Sequence, residues 1–397
     1  MKKLFEEFTT PNLEAWKSLL AKELKTEAGI DPTAFTDEVE ELTIQTIYDS
    51  PSEIAYTTKK TSNDWQIGVY IQIENEEKAN QTALKLLNTG ANALNFKLSD
   101  DRKLNLDNLL KNIEVAFIHC FFTVITNEQA THIQNWFTAK SPLFLHINQQ
   151  NHYVNAYPIS SIGGNATQEL AFALSEGKNR IANNPQASIH FNFGIGNNFL
   201  FEIAKFRAFG ILWDKIKTVY QSTSHTYITA TTGFVNKSLA DPYTNLLRQT
   251  TEALSAVLGG VDQLIVQPYD TLSTEGPSDF AKRMAINNSL ILKEESEINQ
   301  LIDPFTGSYV IEKITETLCD AAWKLFQQLE EQDETAKINF LKVEIERIRC
   351  KRIELVKSKK QTLVGINKFS NPDTSTLKWK KEMEGYFGIE KLILERI

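Results

Sequence analysis

The feature that most narrows the folds open to this chain is one strand, glycine and helix unit, HFNFGIGNNFLFEIAKFRAFGILW (His190 to Trp213), and its recurrence on both sides. Phe191 and Phe193 fall on one side of an extended strand, Asn192 and Gly194 on the other. Gly194 and Gly196 read as ending the strand and letting the chain turn. Asn197 and Asn198 read as caps for a helix whose apolar residues Leu200, Ile203, Ala204, Phe206, Ile211 and Leu212 recur at three- and four-residue steps.

Before this unit, strands are expected at Trp65–Ile73, Ala93–Leu98, Val115–Ile125 and Leu143–Ile147, with a second extended piece at Tyr153–Ile159. Helices follow Asn75 as far as Leu87, around Leu106–Ile113, from Asn127 to Phe137 and from Ala166 to about Ala182. After it come strands at His225–Gly233 and Gln263–Asp270, helices from Pro242 and Ser278, and SYVIE (Ser308–Glu312) as the weakest strand. About eight such repeats between Asp64 and Glu312 match the ~250 residues of a (β/α)8 TIM barrel. A doubly wound open sheet fits less well, because no G-x-G-x-x-G follows the first strand. The expected layout is an N-terminal extension over 1–63, a barrel over 64–312, and C-terminal helices with a short strand at Thr362–Phe369 over 313–397. In the extension, Leu13, Trp16, Leu19, Leu20 and Leu24 share one face of a helix, while Glu27–Glu40 reads as loop. That apolar stripe either folds back on its own domain or docks on a partner.

Composition removes several function classes. With 42 basic and 50 acidic residues the net charge is −8 and no basic block stands out, so nucleic acid is not an expected partner. The start MKKLFEEFTT has no apolar core for a signal peptide, and the apolar run Val115–Ile125 is too short for a membrane span. Cys120, Cys319 and Cys350 lie far apart without metal-ligand spacing and read as buried thiols in a reducing cytoplasm.

In a barrel of this kind chemistry belongs at the C-terminal strand ends. Those ends carry Ser99–Asp100, Thr126, Asn148, Ser160–Ser161, Gly194–Gly196, Thr231–Thr232 and Gln267, hydroxyls and amides without a His and carboxylate cluster. Of the six histidines, His119 and His146 lie inside strands and His190 and His225 near strand starts; His132 reads as structural or surface, and only His152 stays open. The pair Gly163–Gly164 before a helix is weak evidence for a phosphate cradle. No metal-site spacing, nucleophile elbow or Walker loop is present.

Three longer stretches carry a resemblance. GIGNNFLFEIAKFRAFGILW, SDFAKRMAINNSLILKEES (Ser278–Ser296) and DPFTGSYVIEKITETLCDAAWKLF (Asp303–Phe326) resemble the barrel domain of methylmalonyl-CoA mutase, and TLVGINKF resembles the segment that ends it. The stretch Asp64–Leu94 with the short N-terminal helix is similar to the small (beta) subunit of the heterodimeric enzymes. The resemblance implies a radical interconversion of (R)-methylmalonyl-CoA and succinyl-CoA, driven by adenosylcobalamin, in the catalytic chains. It also implies that this chain has lost the catalytic set. Pro158 stands where the family's Gly-Tyr-His motif has His; Thr226, Ile228 and Ala230 stand where an Arg-Thr-His-Ser-Gln run has Arg, His and Gln; Ile265 stands where another His falls. Arg283 and Asn287 match polar positions of the family. The Asp-x-His-x-x-Gly cobalt-ligand loop has no counterpart. The expectation is a cytoplasmic, non-catalytic subunit that binds no cofactor or metal itself and pairs with a large (alpha) subunit carrying the adenosylcobalamin. A free-standing acyl-CoA mutase half served by a separate cobalamin protein, or a non-enzymatic scaffold barrel, are the alternatives.

Overall fold

Period-two strands alternate with amphipathic helices along most of the chain, and the computed structural model assembles them into a (β/α)8 barrel with helical segments at both ends. The structure describes residues 12–25, 31, 33–50, 56, 58, 60–140, 142–148, 152–371, 378–380 and 385–397. Ahead of the barrel come helix α1 (Leu13–Leu24) and a hairpin of β1 (Ala34–Asp37) and β2 (Leu42–Gln45). The barrel runs β3 (Gln66–Ile73), α2 (Glu76–Asn88), β4 (Ala93–Leu98), α3 (Leu106–Leu109), β5 (His119–Thr123), α4 (Asn127–Thr138) and β6 (Phe144–Asn148). It continues through β7 (Tyr153–Asn155), α5 (Tyr157–Ser161), α6 (Ala166–Asn183), β8 (Ile189–Ile195), α7 (Phe199–Val219), β9 (Thr226–Thr232), α8 (Thr244–Leu258), β10 (Gln263–Ile265) and α9 (Asp279–Leu290). Helices α10 (Tyr309–Glu330) and α11 (Glu334–Lys357) follow. Among the described residues no helix is long and apolar enough to cross a membrane.

All eight barrel strands are parallel, in the order β6-β5-β4-β3-β10-β9-β8-β7. Strands β6 and β7 are not hydrogen-bonded to each other, so the wall has one unpaired seam. A parallel crossover ordinarily needs a dozen or more residues. Strand β6 ends at Asn148 and β7 begins at Tyr153, so these two strands follow each other closely in the chain.

Several expectations are corrected here. The eighth strand is Tyr153–Asn155, not SYVIE. Ile311 is buried with Ile314, Leu318 and Ala322 on one helical stripe, and this period claims Tyr309 onward for α10, which lies across α6 and α7. Strand β10 stops at Ile265, and Val115–Phe117 is a helical turn before β5. Thr362–Phe369 is a turn rather than a strand: Gly365 has φ +78°, and the Asn367 side chain binds Val356 O, Gln361 O and Leu363 N. The loop-like segment before Glu40 holds the first strand of a hairpin, whose turn begins with Asp37 accepting from Val39 N and Glu40 N. Asn198 precedes α7 but makes no side-chain cap; its amide goes to Asp37. Gly194 lies inside β8 rather than at a turn, and its requirement is space: a Cβ there meets Ser160 Oγ at 1.9 Å. Cys120 and Cys319 are buried, but Cys350 is exposed.

Helix α1 has the expected apolar stripe and is capped by Asn12, yet none of its residues is buried. Trp16, Leu19 and Leu24 are exposed. The hairpin behaves in the opposite way. Its Glu40 is 8% exposed and accepts from Ala166 N (2.9 Å), Asn165 Nδ2 donates to Val39 O (3.0 Å), and Arg347 binds Glu41.

Candidate functional site

Alternation along the strands decides what faces the barrel axis. In the lower half of the lumen it presents rings from five strands: His119 and Phe121, Phe144 and His146, Tyr153, His190, and Tyr227. Phe121 centres the group, 5.2 Å from the His190 ring, 5.4 Å from Tyr227 and 5.5 Å from Phe144. Burial pushes His146 down to about 3, with His152 adding to the effect, and holds His190 well below the usual histidine range and His119 lower than usual. Neutral imidazoles in an apolar stack are structural groups, not acids or bases working near neutrality.

Above the rings lies a net of hydroxyls and amides. His190 Nε2 contacts Thr229 Oγ1 at 2.7 Å, and that hydroxyl donates to Gln263 Oε1 at 2.8 Å. Thr231 Oγ1 donates to Asn192 Oδ1 (3.0 Å), and Asn192 Nδ2 donates to Asn155 Oδ1 (2.9 Å). The net pairs most of these buried polar groups, although Gln263 Nε2 has no partner, and its one imidazole, His190, is held neutral by burial.

The residues singled out in the sequence separate into two groups. Ile265 faces the lumen, where it packs over Gly68, whose added Cβ meets Ile265 Cγ1 at 2.7 Å. Pro158 is the second residue of α5, just above β7. Thr226, Ile228 and Ala230 turn outward: Thr226 Oγ1 accepts from Trp213 Nε1 (2.9 Å), and Ile228 and Ala230 pack in the helix-facing core. The lumen side of β9 is Tyr227, Thr229 and Thr231 instead. The mouth has no histidine. His225 and His152 immediately precede β9 and β7 at the opposite end, and His132 on α4 contacts Leu104 O.

The mouth itself is covered over β7, β9 and β10. Leu392 N donates to Ser161 O and Leu394 N to Val235 O, both at 2.9 Å. The Glu395 carboxylate takes the N–H groups of Leu239 (2.7 Å) and Ala240 (3.2 Å) and the Ser238 hydroxyl. Ile393 sits in an apolar patch with Tyr157, Phe234, Leu239 and Leu272. The glycine pair Gly163–Gly164 is filled too, because Arg352 donates to both carbonyls at 3.0 Å. The acceptor at the α6 N-terminus is the chain's own Glu40 carboxyl group.

Behind β8 lies the most charged buried group, which sequence reasoning missed because its members are far apart in the chain. Lys205 Nζ reaches Glu169 (2.9 Å), Glu202 (2.6 Å) and Gly194 O (2.6 Å), and Glu169 also accepts from Gly194 N (2.6 Å). Burial pushes Glu169 up to about 7 against the pull of Lys205; burial disfavours the Lys205 ammonium, yet the two carboxylates hold it charged. The space beside this cluster is only about 50 Å³, so it positions strands and admits no substrate. Among the described residues no group of three or more His, Cys, Asp or Glu is arranged to hold a metal ion.

The family pattern described as methylmalonyl-CoA mutase matches residues 124–385. The small subunit of methylmalonyl-CoA mutase from Porphyromonas gingivalis is 30% identical over 93% of this chain and 71% of its own length. This chain belongs to the methylmalonyl-CoA mutase family. The Rhizobium meliloti methylmalonyl-CoA mutase is 31% identical over 54% of this chain, which spans only 32% of that relative. The Thermus thermophilus dihydropteroate synthase structure, at 13% identity and TM-score 0.33 over 59% of this chain and 96% of its own, is too distant to bear on function.

Family membership raises adenosylcobalamin as a cofactor, and the described residues of this chain do not fit it. The mouth offers the corrin no histidine and is spanned at Ser161, Val235 and Leu239 by the segment ending at Ile397.

Proposed function

We propose that this chain is a non-catalytic small subunit of methylmalonyl-CoA mutase. It supports a large subunit that carries adenosylcobalamin and interconverts (R)-methylmalonyl-CoA and succinyl-CoA in the cytoplasm. The observation that carries the reading is the blocked axis: rings of Phe121, Phe144, His146, His190 and Tyr227 fill the lumen below, and the Leu392–Glu395 segment spans the mouth above. The exposed stripe of α1 supplies the surface for the large subunit. The alternative of an acyl-CoA mutase half using a separate cobalamin protein requires a thioester donor near Pro158 and an open axis, and the scaffold reading requires no mutase partner.

The test has two arms. The purified chain with adenosylcobalamin is expected to give no His-ligated spectrum and no succinyl-CoA, and the chain is expected to co-purify with a large subunit. Pro158→His, mixed with an intact corrinoid domain, is expected to stay at background, because one donor is worth roughly 10²–10³ in rate only where the rest of the site is preorganised. Turnover above the unsubstituted control overturns the non-catalytic reading.

A further inference from the structure

The loop that follows β9 is braced by the core and turns its free donors towards one point. Asn245 of α8, which is fully buried, accepts from Ser238 N through Oδ1 (3.0 Å) and donates from Nδ2 to Ser238 O (2.6 Å) and Tyr269 O (3.1 Å). Both backbone groups of Ser238 are thereby held from below. The Ser238 hydroxyl accepts from Asp241 N at 2.9 Å, so its own hydrogen is directed away from that amide. Three donors remain, the Ser238 hydroxyl and the N–H groups of Leu239 and Ala240, and Ser238 is itself closed to water.

Their acceptor lies 156 positions further along the chain. Glu395 sets Oε2 on Leu239 N (2.7 Å) and Oε1 on both Ala240 N (3.2 Å) and the Ser238 hydroxyl. An ionised carboxylate offers two oxygens and no hydrogen, so a set made only of donors selects it over an amide, an alcohol or an amine. Arg248 is nearby, but Asp241 and Glu252 share its charge with Glu395. Selection therefore rests on the three donors and not on surplus positive charge. The other fastenings of the segment, Leu392 N to Ser161 O and Leu394 N to Val235 O, join backbone to backbone and form whatever side chains it carries.

We propose that the Ser238–Ala240 turn is a carboxylate-binding site of the barrel mouth, occupied in cis by Glu395, and that a small free carboxylate binds there once that side chain is removed. The segment over the mouth is then its tethered ligand, held by recognition of an anion as well as by the apolar patch around Ile393. The site is built by the β9 loop and α8 alone, so it stands whether or not a large subunit pairs with the chain.

Glu395→Ala removes the carboxylate and keeps the backbone of the segment. Thermal melting of the full chain is expected to place this variant roughly 2–6 °C below the parent. Formate or acetate is expected to restore part of that loss saturably, with half-saturation on the order of 1–10 mM. Acetamide, which has the same shape but carries hydrogens, and chloride at matched ionic strength are expected to restore nothing, and the parent is expected to be unmoved by all four. Adding Ser238→Ala to Glu395→Ala is expected to weaken acetate binding about tenfold or more, since one donor to a charged acceptor is lost. Should Glu395→Ala not fold, Glu395→Gln fills the same space and reads the same preference. Its amide hydrogens oppose the donors and are expected to speed hydrogen exchange at Leu239 or Ala240 about tenfold. The proposal falls if neither anion restores the variant, if acetamide or chloride restores as much as acetate, or if the parent responds as the variant does. Exchange in Glu395→Gln that matches the parent at both amides overturns it equally.

Discussion

Strands β7–β10 and strands β3–β6 make two four-strand halves of one wall, but they are held by different chemistry. Among the described residues, the ion pairs whose two side chains are both less than a tenth exposed are Glu169–Lys205, Arg207–Asp303 and Lys237–Glu252, and all three belong to the first half. The helix layer over β3–β6 is instead an apolar cluster of Ile67, Ile71, Leu94, Phe96, Phe122, Ile133 and Phe137. The hairpin and the Leu392–Glu395 segment also attach to the β7–β10 half. Buried charge therefore marks where added segments are oriented, and plain apolar packing marks the half that stands by itself; the two partings of the wall, the unpaired seam β6/β7 and the two-residue pairing β3/β10, are the boundaries between the halves. Such pairs add direction more than net stability, but removing one partner strands the other.

The largest expected effect breaks the comparison on its charged side. Lys205→Met leaves Glu169 and Glu202 without their cation and is expected to cost about 3–5 kcal/mol, read by urea unfolding. Ile71→Val in the other half is expected to cost only about 0.5–1.5 kcal/mol. A double change, Glu169→Gln with Lys205→Met, is expected to recover part of the loss, because no unpaired charge remains on that side chain. Equal losses for Lys205→Met and Ile71→Val remove the distinction between the halves.

Next in size is a pH effect at the hairpin. Burial raises Glu40 from 4.5 to about 7, with Arg352 opposing. The folded protein then holds a proton that the unfolded chain has released, so this contribution is complete below about pH 4.5 and is lost as the pH rises through about 7. The loss is on the order of 3 kcal/mol. Melting at pH 5 and at pH 7.5 reads it, and Glu40→Gln is expected to reduce the dependence, leaving the part that Glu169 contributes with the same sign. A slope unchanged by that substitution shows that the hairpin does not carry it.

The smallest effect on the chain's own stability is expected at α1. Trp16→Ala and Leu20→Asp should change unfolding by no more than about 0.5 kcal/mol, since no residue of α1 is buried. The same substitutions are expected to weaken pairing with a large subunit by about 1–4 kcal/mol. Undiminished co-elution at nanomolar concentration assigns the docking surface elsewhere.

The barrel was legible in the sequence because its evidence is local: the strand of Phe191 and Phe193, the stripe of α7, and the spacing of the units. What misled was also local. SYVIE is short, apolar and β-branched, and five residues do not distinguish a strand from the first turn of α10. Tyr153–Asn155 is only a three-residue strand, so its place in the wall follows from pairing with β8 and not from its own pattern. The site was legible only by resemblance. Ile265 does face the lumen, whereas Thr226, Ile228 and Ala230 face the helices, a parity set by strand register that no linear motif encodes. The Lys205 cluster joins residues 36 positions apart, and the Ile393 patch joins both ends of the barrel's second half.

The rings on the barrel axis also act as one unit. Opening a passage requires Phe121, Phe144, His146, His190 and Tyr227 to shrink together, since each contacts others of the set. A lone Phe121→Ala leaves a closed void and a penalty of roughly 3–5 kcal/mol, with no channel gained. A passage along the axis therefore opens only when several of these rings are shortened together, never by one substitution.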